Sequence, residues 1–191
     1  MDRRIGGIHL DNDRLHQTVR QLREQIDRGE LSSYDLVLDC LDRIEQVDRG
    51  PNGYNAVLSI NPHALFIART LDAEREVGKI RGPLHGIPVL IKDNICTADP
   101  IPTTAGSYAM RHAGAIILGK TNMTEWANYM ADGMTNGFSS MGGQVFCAYN
   151  REANAGGSST GSAVAAALAL APLTIGTETS GSIMSPAQKN G

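Results

Sequence analysis

The chain has 191 residues, of which 41% are hydrophobic and 19% charged, with a formal net charge of −3. That composition can close one packed core and excludes wholesale disorder, while the acidic balance speaks against a nucleic-acid partner drawn in by a positive field. Three widely spaced cysteines (Cys40, Cys96, Cys147) and five histidines without ligand spacing suggest neither a disulfide framework nor a metal site.

In chain order, residues 1–7 are basic with no apolar run behind them, so they do not read as a secretory signal. Leu15, Val19, Leu22 and Ile26 fall on one helical face, and Gly29 ends that helix. Ser32 or Ser33 can cap a second helix, with Asp35 in its first turn and Val37, Leu41 and Ile44 as its apolar face. Gly50-Pro51-Asn52-Gly53 breaks the pattern. Residues 56–60 suit a strand, and Asn61-Pro62 reads as an N-cap and first turn for a helix carrying Leu65, Ala68 and Leu71. No chemistry is legible in residues 1–80, which read as a helical N-terminal region.

From residue 81 the texture changes. Glycine makes up 21 of 191 residues, about 11% against a usual ~7%. Residues 87–92 and 115–120 are apolar strand candidates, with Pro88 implying a late start or an edge position. Residues 124–129 suit a short helix, Gly142-Gly143 a loop, residues 162–170 a small-residue helix and residues 173–177 another buried strand. The small-apolar run 163–171 is far too short to span a bilayer. Strands alternating with helices imply an α/β fold, with no membrane partner and a cytoplasmic location as the expectation.

Three polar positions stand out in this apolar setting. Lys92 ends an apolar strand, where desolvation would lower its proton affinity and let it serve as a base; a strand-end surface charge is the plainer alternative. Gly156-Gly157-Ser158-Ser159-Thr160-Gly161-Ser162 leads into a helix, and its glycines permit unusual backbone angles at the serines. A phosphate loop fails there on residue type, and a helix cap or linker is the bland reading. Thr177-Glu178-Thr179-Ser180-Gly181-Ser182 follows a buried strand into a tight turn whose N–H groups could face an oxyanion beside Ser182. The Gly-x-Ser-x-Gly elbow of α/β-hydrolases does not surround Ser182. No histidine is near either serine loop in sequence, so a lysine–serine arrangement is the alternative source of a base.

Five runs in order resemble the amidase signature family: Gly82-Pro83-Leu84-His85-Gly86-Ile87-Pro88-Val89-Leu90-Ile91-Lys92-Asp93-Asn94, Thr103-Thr104-Ala105-Gly106-Ser107, Gly119-Lys120-Thr121-Asn122-Met123, the serine loop 156–163, and the turn 176–183. The resemblance implies a mixed α/β/α core, here partial over residues 81–191. It implies Lys92 as catalytic base, Ser158 as bridging serine after a cis peptide bond, and Ser182 as nucleophile. The backbone N–H groups of Thr179, Ser180, Gly181 and Ser182 would form the oxyanion hole. The implied reaction is hydrolysis of a small amide through an acyl-enzyme, with no metal and no cofactor. Two departures accompany it: the passage from Met110-Arg111-His112 straight to Ala113, where the family usually has more chain, and the last residue Gly191, beyond which the family continues. An inactive amidase-like remnant and an amidotransferase-type subunit delivering ammonia to a partner are the competing readings. Trp126 and Met123 are expected in the core, and Thr103–Ser107 as a turn that could line a pocket.

Overall fold

The computed structural model describes residues 4–5, 8–9, 14–96, 113–129 and 132–191. Residues 103–107 and the 110–112 side of the junction before Ala113 lie outside the described residues. β1 (Arg4–Ile5) and β2 (Ile8–His9) form a minimal antiparallel pair. α1 runs from Val19 to Asp27. It excludes Leu15, which sits in a separate 3-10 turn, because a capping box fixes the start: the Thr18 hydroxyl accepts the Gln21 N–H and Gln21 Oε1 accepts the Thr18 N–H at 2.9 Å. Ser32 caps α2 (Ser33–Arg43) by accepting the Asp35 N–H at 2.9 Å. Leu36, Val37, Cys40 and Ile44 are its buried face, while Leu41 is only half-buried. α2 runs on into a wide π-turn, Ile44–Asp48, which buries Val47 and Asp48. The Asp48 carboxylate accepts the N–H groups of Ala56 at 2.6 Å and Val57 at 2.9 Å, tying that turn to the next strand.

β3 is Val57–Ile60 and α3 is Ala64–Glu76. Asn61 opens the turn into that helix as expected, its Oδ1 accepting the His63 N–H at 3.0 Å, with the regular helix beginning at Ala64. It is buried, and its side-chain amide also donates to the Ile117 carbonyl at 2.8 Å. β4 (Pro88–Lys92) begins at Pro88, where a missing N–H is harmless, and it occupies a central position rather than an edge. β5 is Ile116–Thr121. Residues 125–128 form only a 3-10 turn with Trp126, Ala127 and Asn128 at positive φ. That left-handed stretch turns Trp126 outward, 70% exposed, against the expectation of a core residue; Met123 is half-buried. Gly143 belongs to a two-residue strand: β6 (Phe138–Ser139) pairs with β7 (Gly143–Gln144). α4 (Thr160–Ala167), β8 (Leu173–Ile175) and α5 (Met184–Asn190) complete the chain.

The main sheet has the order β3-β5-β4-β8. β4 is parallel to both neighbours, and β3 is antiparallel to β5. Side chains alternate across β4: Leu90 joins the large cluster of α1, α2, α3 and α4, while Val89 and Ile91 join a smaller one on the other face with Ala115 and Ile117. Lys92, two residues past Leu90, therefore shares the α4 face. Among the described residues no helix is long and apolar enough to cross a membrane.

The cysteines differ in access. Cys40 and Cys147 are buried and Cys96 is half-buried, and burial pushes the Cys40 thiol far up from its ordinary value. We expect an aromatic disulfide reagent to modify one thiol rapidly in the folded protein and three in denaturant; fast modification of all three without denaturant would contradict the packing around α2.

Candidate active site

Three parallel-sheet features converge at the C-terminal ends of β4 and β8, the end at which open α/β sheets generally bind ligands. β4 delivers Lys92. β8 leads through Gly176 into Thr177 and the turn that carries Ser182. The loop before α4 brings Ser158 between them, its carbonyl accepting the Thr124 N–H at 3.1 Å. The Gly157–Ser158 peptide is cis. Ser182 is tied to the serine loop by its carbonyl, which accepts the Ser159 N–H at 2.9 Å.

The result is a continuous line of polar atoms. Lys92 Nζ donates to Ser158 Oγ at 2.8 Å, and Ser158 Oγ donates to Ser182 Oγ at 3.1 Å. Hydroxyl hydrogens can rotate, so the same line of heavy atoms can run the opposite way once the amine is neutral. Lys92 and Ser158 are fully buried, and Ser182 is half-buried. Burial pulls the Lys92 pKa down to about 8, with the negative charge of Glu178 opposing it. An amine with that affinity is available as a base in mildly alkaline solution, which an ordinary surface lysine is not.

Sequence reasoning placed Lys92, Ser158 and Ser182 in one site, and the structure brings all three together. The expected oxyanion donors are divided. Thr179 and Ser180 are exposed. The N–H groups of Gly181 and Ser182 go instead to the Glu178 carboxylate, which also accepts from Ile183 and Met184. Those four bonds, led by the one from Ile183, hold the Glu178 carboxyl below its usual range. An ionised carboxylate is the strongest local acceptor, so it takes amides that point into open solvent.

Other polar neighbours were not among the residues expected in the site. Thr177 Oγ1 lies 2.7 Å from Lys92 Nζ and accepts from Asn94 Nδ2 at 3.1 Å. Lys120 is a second buried lysine; it donates to the carbonyls of Asp93 and Ile95 and so pins the turn just after Lys92. Burial lowers its pKa as well. A lysine inside the apolar run of β5 was the available hint. Among the described residues no group of three or more His, Cys, Asp and Glu side chains is placed to hold a metal ion.

With this geometry in hand, the comparisons are specific. The family described as Amidase matches residues 35–191. The chain is 43% identical over 189 residues to a protein named as an amidase in Schizosaccharomyces pombe, covering 91% of this chain and 32% of that protein. It is 36% identical to one of the subunits of the glutamyl-tRNA(Gln) amidotransferase of Natranaerobius thermophilus, covering 91% and 37%. The crystal structure of the native peptide amidase from Stenotrophomonas maltophilia superposes with a TM-score of 0.86 at 45% identity, covering 92% of this chain and 39% of that one. The chain thus spans about a third of the length of the relatives it matches.

Proposed function

We propose, given that the chain belongs to the amidase family, that it carries the reacting groups of a hydrolase acting on small amides. The observation that supports this most directly is the unbroken Lys92–Ser158–Ser182 line, 2.8 Å and 3.1 Å per step, with the amine fully buried. In this reading neutral Lys92 takes the Ser158 proton as Ser158 takes the Ser182 proton. The freed Ser182 oxygen attacks the amide carbon, and the carbonyl oxygen becomes an oxyanion. The N–H groups of Thr179, Ser180, Gly181 and Ser182 receive it, which requires Glu178 to release the latter two. Lys92 then returns the proton through Ser158 to the departing nitrogen as the C–N bond breaks, leaving ammonia or an amine and an acyl ester on Ser182. Water, deprotonated by the same route, hydrolyses the ester. No cofactor enters any step. The unpaired cysteines suit a reducing compartment, so we place the protein in the cytoplasm.

The test uses two readouts. A fluorophosphonate should label Ser182 stoichiometrically, and ammonia release from a C-terminally amidated dipeptide should fall by about 10³-fold or more in Ser182→Ala. Labelling that persists in Ser182→Ala removes Ser182 from the role of nucleophile. Labelling of Ser182 without ammonia release identifies an assembled relay without turnover, the remnant reading.

A further inference from the structure

We infer that Thr177, backed by Asn94, is a positioning residue that aims the Lys92 lone pair at Ser158. The inference deepens the reading above and rests on its proton relay. A neutral primary amine has two N–H bonds and one lone pair, and rotation about its terminal C–N bond lets the lone pair face any of three directions. Only one of them accepts the Ser158 proton. Lys92 Nζ has two hydroxyl neighbours at nearly equal distance, Thr177 Oγ1 at 2.7 Å and Ser158 Oγ at 2.8 Å. The relay works only if the first receives an N–H and the second supplies a proton.

Asn94 distinguishes them. Its Oδ1 accepts the Thr177 hydroxyl hydrogen at 3.4 Å, and its Nδ2 lies 3.1 Å from the same oxygen. With its hydrogen turned toward Asn94, Thr177 presents only lone pairs to Lys92, so an amine N–H fills that direction. Ser158 has only a reversible sink, the Ser182 hydroxyl at 3.1 Å, and in the relay that bond turns round so that Ser182 feeds Ser158 and the Ser158 hydrogen faces Lys92. The position of Thr177 is set independently of its side chain. Its N–H donates to Ser159 Oγ at 3.2 Å and its carbonyl accepts from that hydroxyl at 3.1 Å, locking it in register with the residue beside Ser158.

The charges around the amine are few. Glu178, on the same turn as Thr177, favours the ammonium. Asp93 follows Lys92 on β4 and interacts with Lys120 on β5. The loop before α4 contributes only hydroxyl groups.

The experiment is a titration of Lys92 by NMR in protein labelled with 15N at lysine Nζ, combined with pH-dependent kinetics. Thr177→Val removes an acceptor that favours the charged amine, so the Lys92 midpoint should drop by about one pH unit. The acid limb of kcat/KM should move the same way, and kcat should fall at least about tenfold with KM unchanged. Thr177→Ser should restore both. Asn94→Ala, which frees Thr177 to donate to the lone pair, should lower the midpoint in the same direction and serves as the second variant if the valine protein does not fold. A midpoint unchanged in these variants overturns the inference. A shifted midpoint in a chain that releases no ammonia upholds the Thr177–Lys92 pairing and overturns the hydrolase reading instead.

Discussion

Lys92→Met should abolish amide hydrolysis and leave the protein as stable as before or more so. Loss of a general base lowers turnover by about 10²–10⁴-fold, and among the described residues no other base is bonded to the relay, so the upper end is expected. Methionine fills nearly the same volume with no charge to desolvate. A pKa lowered from 10.5 to about 8 corresponds to about 3 kcal/mol of penalty for holding the ammonium in its buried place. Removing the amine also takes a partner from Ser158 and Thr177, which keep Ser182 and Asn94 and so forfeit about 1 kcal/mol each at most. The balance favours the variant by about 1 kcal/mol at pH 7, a rise of about 3 °C in melting temperature. The sign with pH follows from proton binding. Below about pH 8 the amine is charged in both folded and unfolded chains and the penalty is carried in full. From there to pH 10.5 the unfolded chain holds the proton that the folded one has lost, so wild-type stability rises with pH and the gap to the variant closes. A variant markedly less stable than wild type at pH 7 would show that the lysine holds the site together rather than being held by it.

Gly161→Ala should be among the most damaging single substitutions in the fold. In an ordinary helix the change would stabilise by up to about 1 kcal/mol. Here a Cβ would stand 2.4 Å from the Ala56 carbonyl oxygen and 2.4 Å from that of Asn122. Both are backbone atoms and neither can step aside, since the Ala56 carbonyl accepts the Asn122 N–H at 2.8 Å and the Asn122 carbonyl accepts the Gly161 N–H at 3.0 Å. Overpacking of this kind costs about 3 kcal/mol, or a fall of about 9 °C in melting temperature. Because α4 must retreat, Ser158, three residues upstream, leaves hydrogen-bond reach of Lys92, and fluorophosphonate labelling should fall with stability. Ala166→Gly, on the exposed side of the same helix, should cost only about 1 kcal/mol and leave labelling intact. A Gly161→Ala protein that melts at or above wild type would mean the close approach does not exist.

Much of the scaffold was legible because apolar runs leave few choices. The runs at 87–92, 115–120 and 173–177 became β4, β5 and β8, and Lys92 fell at the end of the first, where alternation puts it on the α4 face. Legibility failed where a position is decided by something distant in sequence. The buried face of α2 takes Leu36 and Cys40 and leaves Leu41 half-buried, because the elements packed on it decide which flank of the apolar stripe turns inward. Asn61 opens its helix as its type suggests, but its second bond, to β5 fifty-six residues away, has no local signal. Trp126, apolar and large, lies outside because its backbone turns left-handed. At the site, residue order identified the lysine and the two serines. Thr177 and Glu178 were quoted in the same run yet left without roles, because what a hydroxyl or carboxylate does there depends on which strand and which amides lie opposite.

β8 closes one side of the sheet with no further strand against it among the described residues. Beside it lies a groove of about 350 Å³ whose lining includes Ala163, Ala166, Ile183 and Ala187, and which reaches Ser159 and Gly176. A bare strand flank next to oily wall tends to recruit another polypeptide. Through Ser159 and Ile183 this flank adjoins the residues next to Ser158 and Ser182. Under the proposed function, a polypeptide laid over it would sit beside the nucleophile, so the same covering would bear on association and on reaction together.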